Sequence, residues 1–439
     1  MKYFTLFILL ASCATSAIPS SDLLDTDVAQ SDLSNHYEMM VKFDPESGNL
    51  DASGIIEIVA DTEVQQIDFL LNGNLDVERF ETGILSEINI ESGTSLDSYQ
   101  LPKTQKVSII LQAPLNEGEA VTIGFAYAGQ LTTDSIEIGR GGVDPAWTEM
   151  SMGALWYPLW LEELAMTAST QLEIPEQYDL TGSGDLKRIA PTVWQLEQSE
   201  PVIGRLTFFA SNGWEVSTQA LNEGTEMVLY SIKQEPGAVD IFSAVQGAYE
   251  DFEAIFGAPS RETGQIRLLN ANDDIGLVFP AEAYATGGDF IVLDNASSPD
   301  ARDNTLNHEI AHIWWFAGQP GTPDEFLSES IAEYMAMRRG AMVWGQEWLD
   351  EKRASVKAQA DQLDVSILGI QGFSATRQPL LYKKGPHALW MLHDRIGEDD
   401  MNALLKETLV RDVETMSAFF ALLEEQHGET VSRWFENQL

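Results

Sequence analysis

The segment Asn307 to Phe316, NHEIAHIWWF, holds the residues of this chain that are best suited to chemistry. Helical residues turn by about 100° each, so His308 and His312 lie on one helix face, one turn apart. Their imidazole nitrogens can bind one tetrahedral metal ion, and Glu309 projects beside them toward a water on that ion. The alternative is a pair of solvated helix histidines, but the apolar residues around the pair argue against it. The spacing therefore predicts a zinc site.

A hydrolytic zinc site needs a third protein ligand and one open coordination position. Three carboxylates follow in residues 325–336, EFLSESIAEYMA, which we expect to open a second helix after a loop rich in glycine and proline. A tight loop between the two helices would let Glu329 face the histidines. Glu325 and Glu333 are competitors, and each of the three could be a solvated helix carboxylate instead. Position alone leaves the third ligand open.

With these residues in view, the chain resembles the aminopeptidase N family of gluzincin zinc metallopeptidases, which includes the leukotriene hydrolases. In that family a second helix with a signature like LNEGFA supplies the third ligand through its glutamate. Residues 327–334, LSESIAEY, are similar, and this resemblance selects Glu329. Sixteen residues separate His312 from Glu329 where the family typically has eighteen, which indicates a shortened loop. The resemblance implies one zinc ion per chain, held by His308, His312 and Glu329.

Two further family motifs concern catalysis and substrate binding. In the family, a tyrosine in a YxKG motif helps to stabilise the oxyanion, and residues 382–385, YKKG, are similar. Tyr382 is therefore expected to be catalytic together with Glu309. The family binds the free amine of its substrate through a glutamate in a GxMEN motif. The corresponding region here reads LVFPAEAYATGG, in which Glu282 is the expected substrate-binding residue although the glycine, methionine and asparagine are missing.

The resemblance implies a zinc-dependent peptidase that releases N-terminal residues from peptides. The altered GxMEN region leaves two alternatives open. One is a weakly active or non-catalytic scaffold lipoprotein that keeps the peptidase fold. The other is a different hydrolase on the same zinc site, either an endopeptidase or an epoxide hydrolase. The chain also ends where the catalytic domain of the family ends, so we expect a shortened form without the C-terminal helical domain.

Hydrophobic patterning before residue 221 predicts an all-β domain. In HYEMMVKF the apolar residues alternate and define one face of a strand, formed by Tyr37, Met39, Val41 and Phe43. The polar run of residues 44–54 is predicted as a hairpin loop. Further runs such as KVSIILQA and AVTIGFAY are also typical of strands.

Helical periodicity dominates after residue 224. VDIFSAVQGAYEDFEAIFG, SESIAEYMAMRR and KGPHALWMLHDRI are predicted helices, whereas QIRLLN and DFIVLD are predicted strands. Strands followed by helices favour an α+β multidomain chain, in which an all-β domain precedes a mainly helical thermolysin-like zinc peptidase domain. The predicted limits are 1–12 for a lipoprotein-type signal peptide, 13–35 for a flexible tether, 36–221 for the β domain and 222–439 for the catalytic domain.

The acidic composition of the chain excludes some classes of binding partner. With 69 acidic and 25 basic residues, the chain has a formal net charge of -44. Such a surface repels nucleic acid phosphates and anionic lipid headgroups, so neither is an expected partner. The family resemblance implies peptide substrates. The oligomeric state is not indicated by any pattern in the sequence.

The N-terminal segment MKYFTLFILLASCATSA is typical of an export signal, with Lys2 before a short apolar run. Leu10-Ala11-Ser12-Cys13 resembles a bacterial lipobox, and Cys13 is the only cysteine of the chain. We therefore expect an exported bacterial lipoprotein whose lipidated Cys13 anchors it to the outer membrane. The alternative is cleavage after Ala17 and release into the periplasm or the medium.

Overall fold

A computed structural model describes most of the chain between Asn35 and Leu439. The described residues are 35–93, 104–136, 142–160, 165–203, 206–232, 238–259, 264–271, 283–286, 290–294, 299–372, 374 and 376–439. The predicted signal peptide, Cys13 and Glu282 lie outside them. Within these ranges, no helix is both long enough and apolar enough to cross a membrane.

A seven-stranded sheet is the largest element of the N-terminal region. Its strands are β1 (Asn35–Asp44), β2 (Asn49–Val59), β4 (Leu75–Glu81), β7 (Ala120–Gln130), β10 (Ala165–Glu173), β12 (Asp185–Ala190) and β13 (Val193–Ile203). They lie in the order β12-β13-β10-β1-β2-β7-β4. Neighbouring strands are antiparallel, except that β1 and β10 are parallel.

The first hairpin tests two sequence predictions. The alternation in β1 is confirmed, because its predicted inward face is buried: Tyr37, Met39, Val41 and Phe43. The predicted loop over residues 44–54 is wrong in its second half, since β2 begins at Asn49. In that strand Leu50 and Ala52 are buried while Asn49 and Asp51 face solvent. The polar residues that suggested a loop are thus the outward half of an alternating strand.

Two smaller sheets complete the β region. The four-stranded sheet contains β3 (Val64–Asn72), β5 (Leu85–Ser92), β6 (Thr104–Leu115) and β9 (Leu159–Trp160), in the order β5-β6-β3-β9. The three-stranded sheet contains β8 (Thr148–Met150), β11 (Asp179–Gly182) and β14 (Phe208–Ser211), in the order β11-β14-β8. Side chains from all three sheets, among them Phe69, Phe125 and Phe208, share one core. The prediction of an all-β N-terminal domain is confirmed.

A five-stranded mixed sheet leads into the helical region. It consists of β15 (Glu215–Ala220), β16 (Glu226–Ser231), β17 (Gln265–Ala271), β18 (Ala283–Thr286) and β19 (Phe290–Asp294) in the order β15-β16-β17-β19-β18. β16, β17 and β19 are parallel, and helix α1 (Ala238–Phe256) connects β16 to β17, as a parallel pair requires. The predicted boundary after residue 221 falls between β15 and β16, and the domain limits stay a prediction.

Helices make up most of the remaining chain, which confirms the predicted order of an all-β region followed by a mainly helical one. They are α2 (Pro299–Ala311), α3 (Glu329–Trp344), α4 (Gln346–Ala360), the short α5 (Arg377–Pro379), α6 (Gly385–Ile396), α7 (Glu398–Val410), α8 (Met416–His427) and α9 (Glu429–Glu436). A 3-10 helix at Pro323–Leu327 precedes α3, and a π-helix at Leu380–Lys384 joins α5 to α6.

The end of α2 is anchored by two tryptophans. Trp314 and Trp315 are each 2% exposed and belong to the core of the helical region. Trp314 packs against Tyr249 and Phe252 of α1, and its Nε1 donates a hydrogen bond to the carbonyl oxygen of Gly257 over 2.9 Å. These contacts explain the apolar residues beside the histidine pair and fix the position of α2.

Candidate metal centre

The two histidines of the HExxH motif face each other at the end of α2. His308 lies in the last turn of the helix, and His312 follows its last residue, Ala311. The Nε2 atoms of the two rings are 3.1 Å apart, and the rings are nearly perpendicular with centroids 4.8 Å apart. The helical spacing therefore aims both Nε2 atoms at one point, as the sequence predicts.

Glu329, the first residue of α3, supplies a carboxylate to the same point. Its Oε2 lies 3.4 Å from Nε2 of His308 and 3.6 Å from Nε2 of His312. One ligand atom from each of the three residues can be chosen so that all lie within 4.8 Å of one another. Across the described residues, no other group of three histidine, cysteine or acidic side chains meets this condition.

The two competing carboxylates occupy other positions. Glu325 accepts hydrogen bonds from Arg377 and from the backbone of Gly321, away from the point where the Nε2 atoms meet. Glu333 contacts the opposite nitrogen of His308, with its Oε2 lying 3.2 Å from Nδ1. The structure thus brings Glu329, and neither competitor, to the inner face of the histidine pair.

Each histidine is held from behind through its Nδ1 atom. Glu333 accepts from Nδ1 of His308, and the carbonyl oxygen of Trp315 lies 3.0 Å from Nδ1 of His312. The hydroxyl oxygen of Ser328 lies 3.3 Å from the same nitrogen of His312. Protons on the two Nδ1 atoms leave the lone pairs of both Nε2 atoms directed inward, which is the arrangement that metal-binding histidines require.

The role of Glu333 was missed in the sequence, where it counted only as a competing ligand. A helical signal could have revealed it, because Glu333 follows Glu329 by four residues and so lies on the same face of α3. The carbonyl oxygen of Trp315 could not have been found in this way. Any residue type offers a carbonyl, and its direction depends on how the chain turns after α2.

The electrostatic surroundings favour positive charge at this point. Burial opposes protonation of His308, but the carboxylates of Glu329 and Glu333, with Glu309 nearby, raise its pKa to about 10. Burial also opposes ionisation of Glu329, yet both histidines hold the pKa of its carboxyl well below its usual range. A cation bound between these side chains would experience the same carboxylate field.

This donor set fits a zinc ion. Two imidazole nitrogens and one carboxylate are a ligand combination found in catalytic zinc sites, in which the fourth position is left for water or substrate. A bound ion would displace the proton that the raised pKa of His308 favours, so that a carboxylate and two Nε2 lone pairs would face it. His308, His312 and Glu329 are therefore the residues that would hold the ion.

Tyr382 lies beside this cluster. Its hydroxyl donates a hydrogen bond to Oε2 of Glu329, and its ring stacks on His308 with centroids 5.3 Å apart and an angle of 16° between the rings. Burial, followed by the charge of Glu329, raises the pKa of the phenol well above its usual value. Tyr382 is thus a neutral hydrogen-bond donor, carried by the π-helix, and π-helical turns occur frequently at functional sites.

Glu309 lies on α2 next to His308, is partly buried, and is close enough for its charge to raise the pKa of both His308 and Tyr382. Five of the six predicted site residues therefore lie together. The sixth, Glu282, is outside the described residues.

Comparison with known proteins gives matches by structure alone. No known family profile and no curated protein matches the sequence. An M1 zinc metallopeptidase from Deinococcus radiodurans is similar in structure, with a TM-score of 0.66 at 16% identity over 93% of both chains. A mutant of an M1 zinc metallopeptidase from the same organism, bound to a Tyr-Ser-Ala substrate, gives a TM-score of 0.64 at 16% identity, again over 93% of both chains. At this identity the likeness establishes a shared two-domain fold.

Proposed function

We propose that this chain is a zinc-dependent peptidase of the M1 metallopeptidase type. The observation that carries the proposal is the convergence of Nε2 of His308, Nε2 of His312 and Oε2 of Glu329 on one point, beside Glu309 and Tyr382. The shared fold and the similarity of the LSES and YKKG segments to family motifs support the same assignment. We propose one zinc ion per chain, held by those three ligands.

The residues of the site divide the work of peptide hydrolysis between them. The chemistry that a zinc ion supplies when bound is Lewis acidity toward the scissile carbonyl and the attacking water. Glu309 accepts the proton of that water and later passes it to the leaving amine. Tyr382, a neutral donor, exchanges its hydrogen bond to Glu329 for one to the oxyanion that develops on the carbonyl. Glu333 keeps the ring of His308 in place.

We further propose that the enzyme acts on the N-terminal end of its substrates. The support is the resemblance of the chain to aminopeptidases and the position of Glu282 in the sequence, at the place of the amine-binding glutamate of the family. A carboxylate in a partly dry cleft pairs with a free ammonium group, whereas an acetylated terminus leaves that carboxylate desolvated and unpaired. Endopeptidase cleavage is the alternative, and the incomplete GxMEN region favours it.

One pair of peptides separates these possibilities. The same sequence is prepared with a free and with an acetylated N-terminus, and kcat/KM is measured for the wild-type protein and for Glu282→Ala. We expect the free peptide to be preferred, and Glu282→Ala to lower its kcat/KM by at least about tenfold, which corresponds to ~1.5 kcal/mol for a charged hydrogen bond. Equal rates for the two peptides in the wild type would reject the aminopeptidase assignment in favour of an endopeptidase.

Glu309→Gln is the matched control for this experiment. Glu309 is not a zinc ligand in the proposal, so the variant should keep one zinc ion per chain while losing turnover of both peptides. A variant that stays active would show that the measured cleavage comes from a contaminating peptidase or from another site. A wild-type protein that binds zinc but cleaves neither peptide would point to the scaffold or to a different hydrolase.

We also propose that Cys13 carries a lipid that anchors the protein to the outer membrane of a bacterium. The support is the lipobox-like segment Leu10 to Cys13 and the absence of any second cysteine in the sequence. Cys13→Ser should move the protein from the membrane fraction to the soluble fraction of the cell envelope. An unchanged distribution would reject the anchor.

A further inference from the structure

The 3-10 helix before Glu329 and the segment that carries Tyr382 are joined by an ion pair between Glu325 and Arg377. Nε of Arg377 donates to Oε2 of Glu325 over 2.6 Å, and a terminal guanidinium nitrogen donates to Oε1. Glu325 is 3% exposed, and its Oε2 also accepts from the backbone N–H of Gly321 over 3.0 Å. The carboxylate is thus bound on both oxygens inside the protein.

A buried two-point ion pair fixes the relative position of the two chain segments more strictly than a surface ion pair does. The planar guanidinium presents two parallel N–H groups, so it binds a carboxylate in one orientation. Burial adds to the constraint, because a charged carboxylate that loses its partner inside the protein pays a large desolvation penalty. The distance between the two segments is therefore set by this pair.

Both partners are close in sequence to groups of the candidate metal centre. Glu325 precedes Glu329 by four residues, and Arg377 precedes Tyr382 by five, at the start of the turn that runs into the π-helix. A backbone hydrogen bond from Gly372 to Gly321, 2.8 Å long, ties the same two stretches of chain together. Because a π-helical turn is intrinsically unfavourable, tertiary contacts must hold it in place.

We propose that the pair formed by Glu325 and Arg377 positions the hydroxyl of Tyr382 against Glu329. Both are positioning residues, which act through Tyr382 and do not touch the reacting atoms. The kinetic test of this inference rests on the proposed peptidase function. The structural test, which measures how rigid residues 376–384 are by hydrogen–deuterium exchange, does not depend on activity.

The test removes both charges together, so that no unpaired charge remains buried. The double variant Glu325→Gln/Arg377→Met keeps the approximate size of both side chains. The matched control is Glu425→Gln/Arg411→Met, because Arg411 also binds its carboxylate at two points, through its two terminal nitrogens at 2.8 and 2.9 Å, but on an exposed surface. Zinc content and thermal melting are measured first, to establish that each variant is folded and loaded.

Hydrogen–deuterium exchange is the first readout. The Glu325→Gln/Arg377→Met variant should exchange faster than wild type in peptides covering residues 376–384, while the control should match wild type there. Unchanged exchange in that segment would overturn the inference, whether or not the protein is a peptidase.

The second readout is kinetic and uses the Tyr382→Phe background. A displacement of about 1 Å at a catalytic group can cost on the order of a hundredfold in rate. In the wild-type background the double variant should therefore lower kcat by ten- to a hundredfold with less than a threefold change in KM. The single variant Arg377→Lys, which keeps a positive charge beside Glu325, should lower kcat less than the double variant does. In the Tyr382→Phe background it should lower kcat by less than twofold. Fully additive losses would overturn the link to Tyr382, whereas a wild type that cleaves no peptide would reject the proposed function and leave the exchange experiment to decide.

Discussion

At the scale of single residues, Glu333 is predicted to control how tightly His308 binds the metal. Its carboxylate lies 3.2 Å from Nδ1 of His308 and therefore fixes the direction of the inner nitrogen. Loss of such an outer partner typically lowers metal affinity by about 10- to 100-fold. We expect Glu333→Ala to weaken zinc binding by this factor in a competition titration with a chelator. Glu333→Gln, which keeps an acceptor oxygen, is the control, and equal affinity for Glu333→Ala and wild type would contradict the prediction.

Tyr382→Phe tests the hydroxyl that contacts Glu329. The ring should stay stacked on His308, because the substitution removes only the oxygen. Removal of an oxyanion donor typically lowers kcat by about 10² to 10³. We expect a loss in that range, with little change in KM and with zinc content retained. Loss of zinc together with activity would mean that the hydroxyl mainly supports Glu329 as a ligand.

Only part of the candidate site could be predicted from the sequence. Residues placed by local helix geometry were predictable, and residues placed by tertiary contacts were not. His308, Glu309 and His312 lie within five consecutive residues, just over one helical turn, so local helix geometry determines their relative positions. Glu329 could be distinguished from Glu325 and Glu333 only by resemblance, because the path of the loop between α2 and α3 depends on tertiary contacts. The pairing of Glu325 with Arg377 spans 52 residues, and no local pattern in the sequence indicates it.

At the scale of elements, the contact between α3 and α6 is predicted to be intolerant of a single methyl group. A Cβ atom added at Gly385 would lie 2.0 Å from Oγ and 2.5 Å from Cβ of Ser330. Overpacking of this kind costs about 1–3 kcal/mol, more than the ~0.5–1 kcal/mol that alanine gains over glycine within a helix. Gly385→Ala should therefore lower the free energy of unfolding and, since Gly385 follows the π-helix, also lower kcat.

Gly369→Ala is the matched control for that substitution. Gly369 lies in the same region of the chain, and a Cβ atom there would meet nothing within 4 Å. Chemical denaturation should place Gly369→Ala within about 0.5 kcal/mol of wild type, as for most surface changes. A Gly385→Ala variant that is as stable as this control would show that α6 can shift away from Ser330 without cost.

Element types were easier to predict than their neighbours. The alternation in β1 and the helical periods of α1 and α6 reflect one-sided burial, which leaves a local mark in the sequence. Helix α3 is buried on nearly all sides, and its apolar content marks it instead. The parallel pairing of β1 with β10 joins segments about 130 residues apart, and nothing local specifies it. The misread start of β2 had another cause, since the polar residues on one face of a half-buried strand made it look like a loop.

At the scale of the whole molecule, zinc is predicted to stabilise the fold by connecting two helices. Its proposed ligands are His308 of α2, His312 directly after α2, and Glu329 of α3. An ion that binds only the folded state, at about 100 times its Kd, adds ~2.7 kcal/mol of stability. Calorimetry should show a melting temperature a few degrees lower after chelation, restored by added zinc. Glu329→Ala should show a much smaller response to the chelator. An equal response in that variant would place the stabilising ion elsewhere.

The net charge of -44 leads to a prediction about salt that concerns the whole surface. Carboxylates outnumber cationic side chains by more than two to one, so most of them have like-charged neighbours, and compact folding brings these charges together. Added salt shortens the screening length from about 30 Å at 0.01 M to about 10 Å at 0.1 M, which weakens this repulsion. Salt also weakens the surface ion pairs, but each of these contributes only ~0–1 kcal/mol, and the excess of 44 acidic groups makes repulsion the larger effect.

The melting temperature at fixed pH and zinc concentration should therefore rise as sodium chloride increases from about 0.01 to 0.2 M. An uncharged osmolyte at matched osmolality controls for general solute exclusion and should have a smaller effect. A melting temperature that falls with salt would show that paired charges, and not the acidic excess, dominate the electrostatic free energy of this fold.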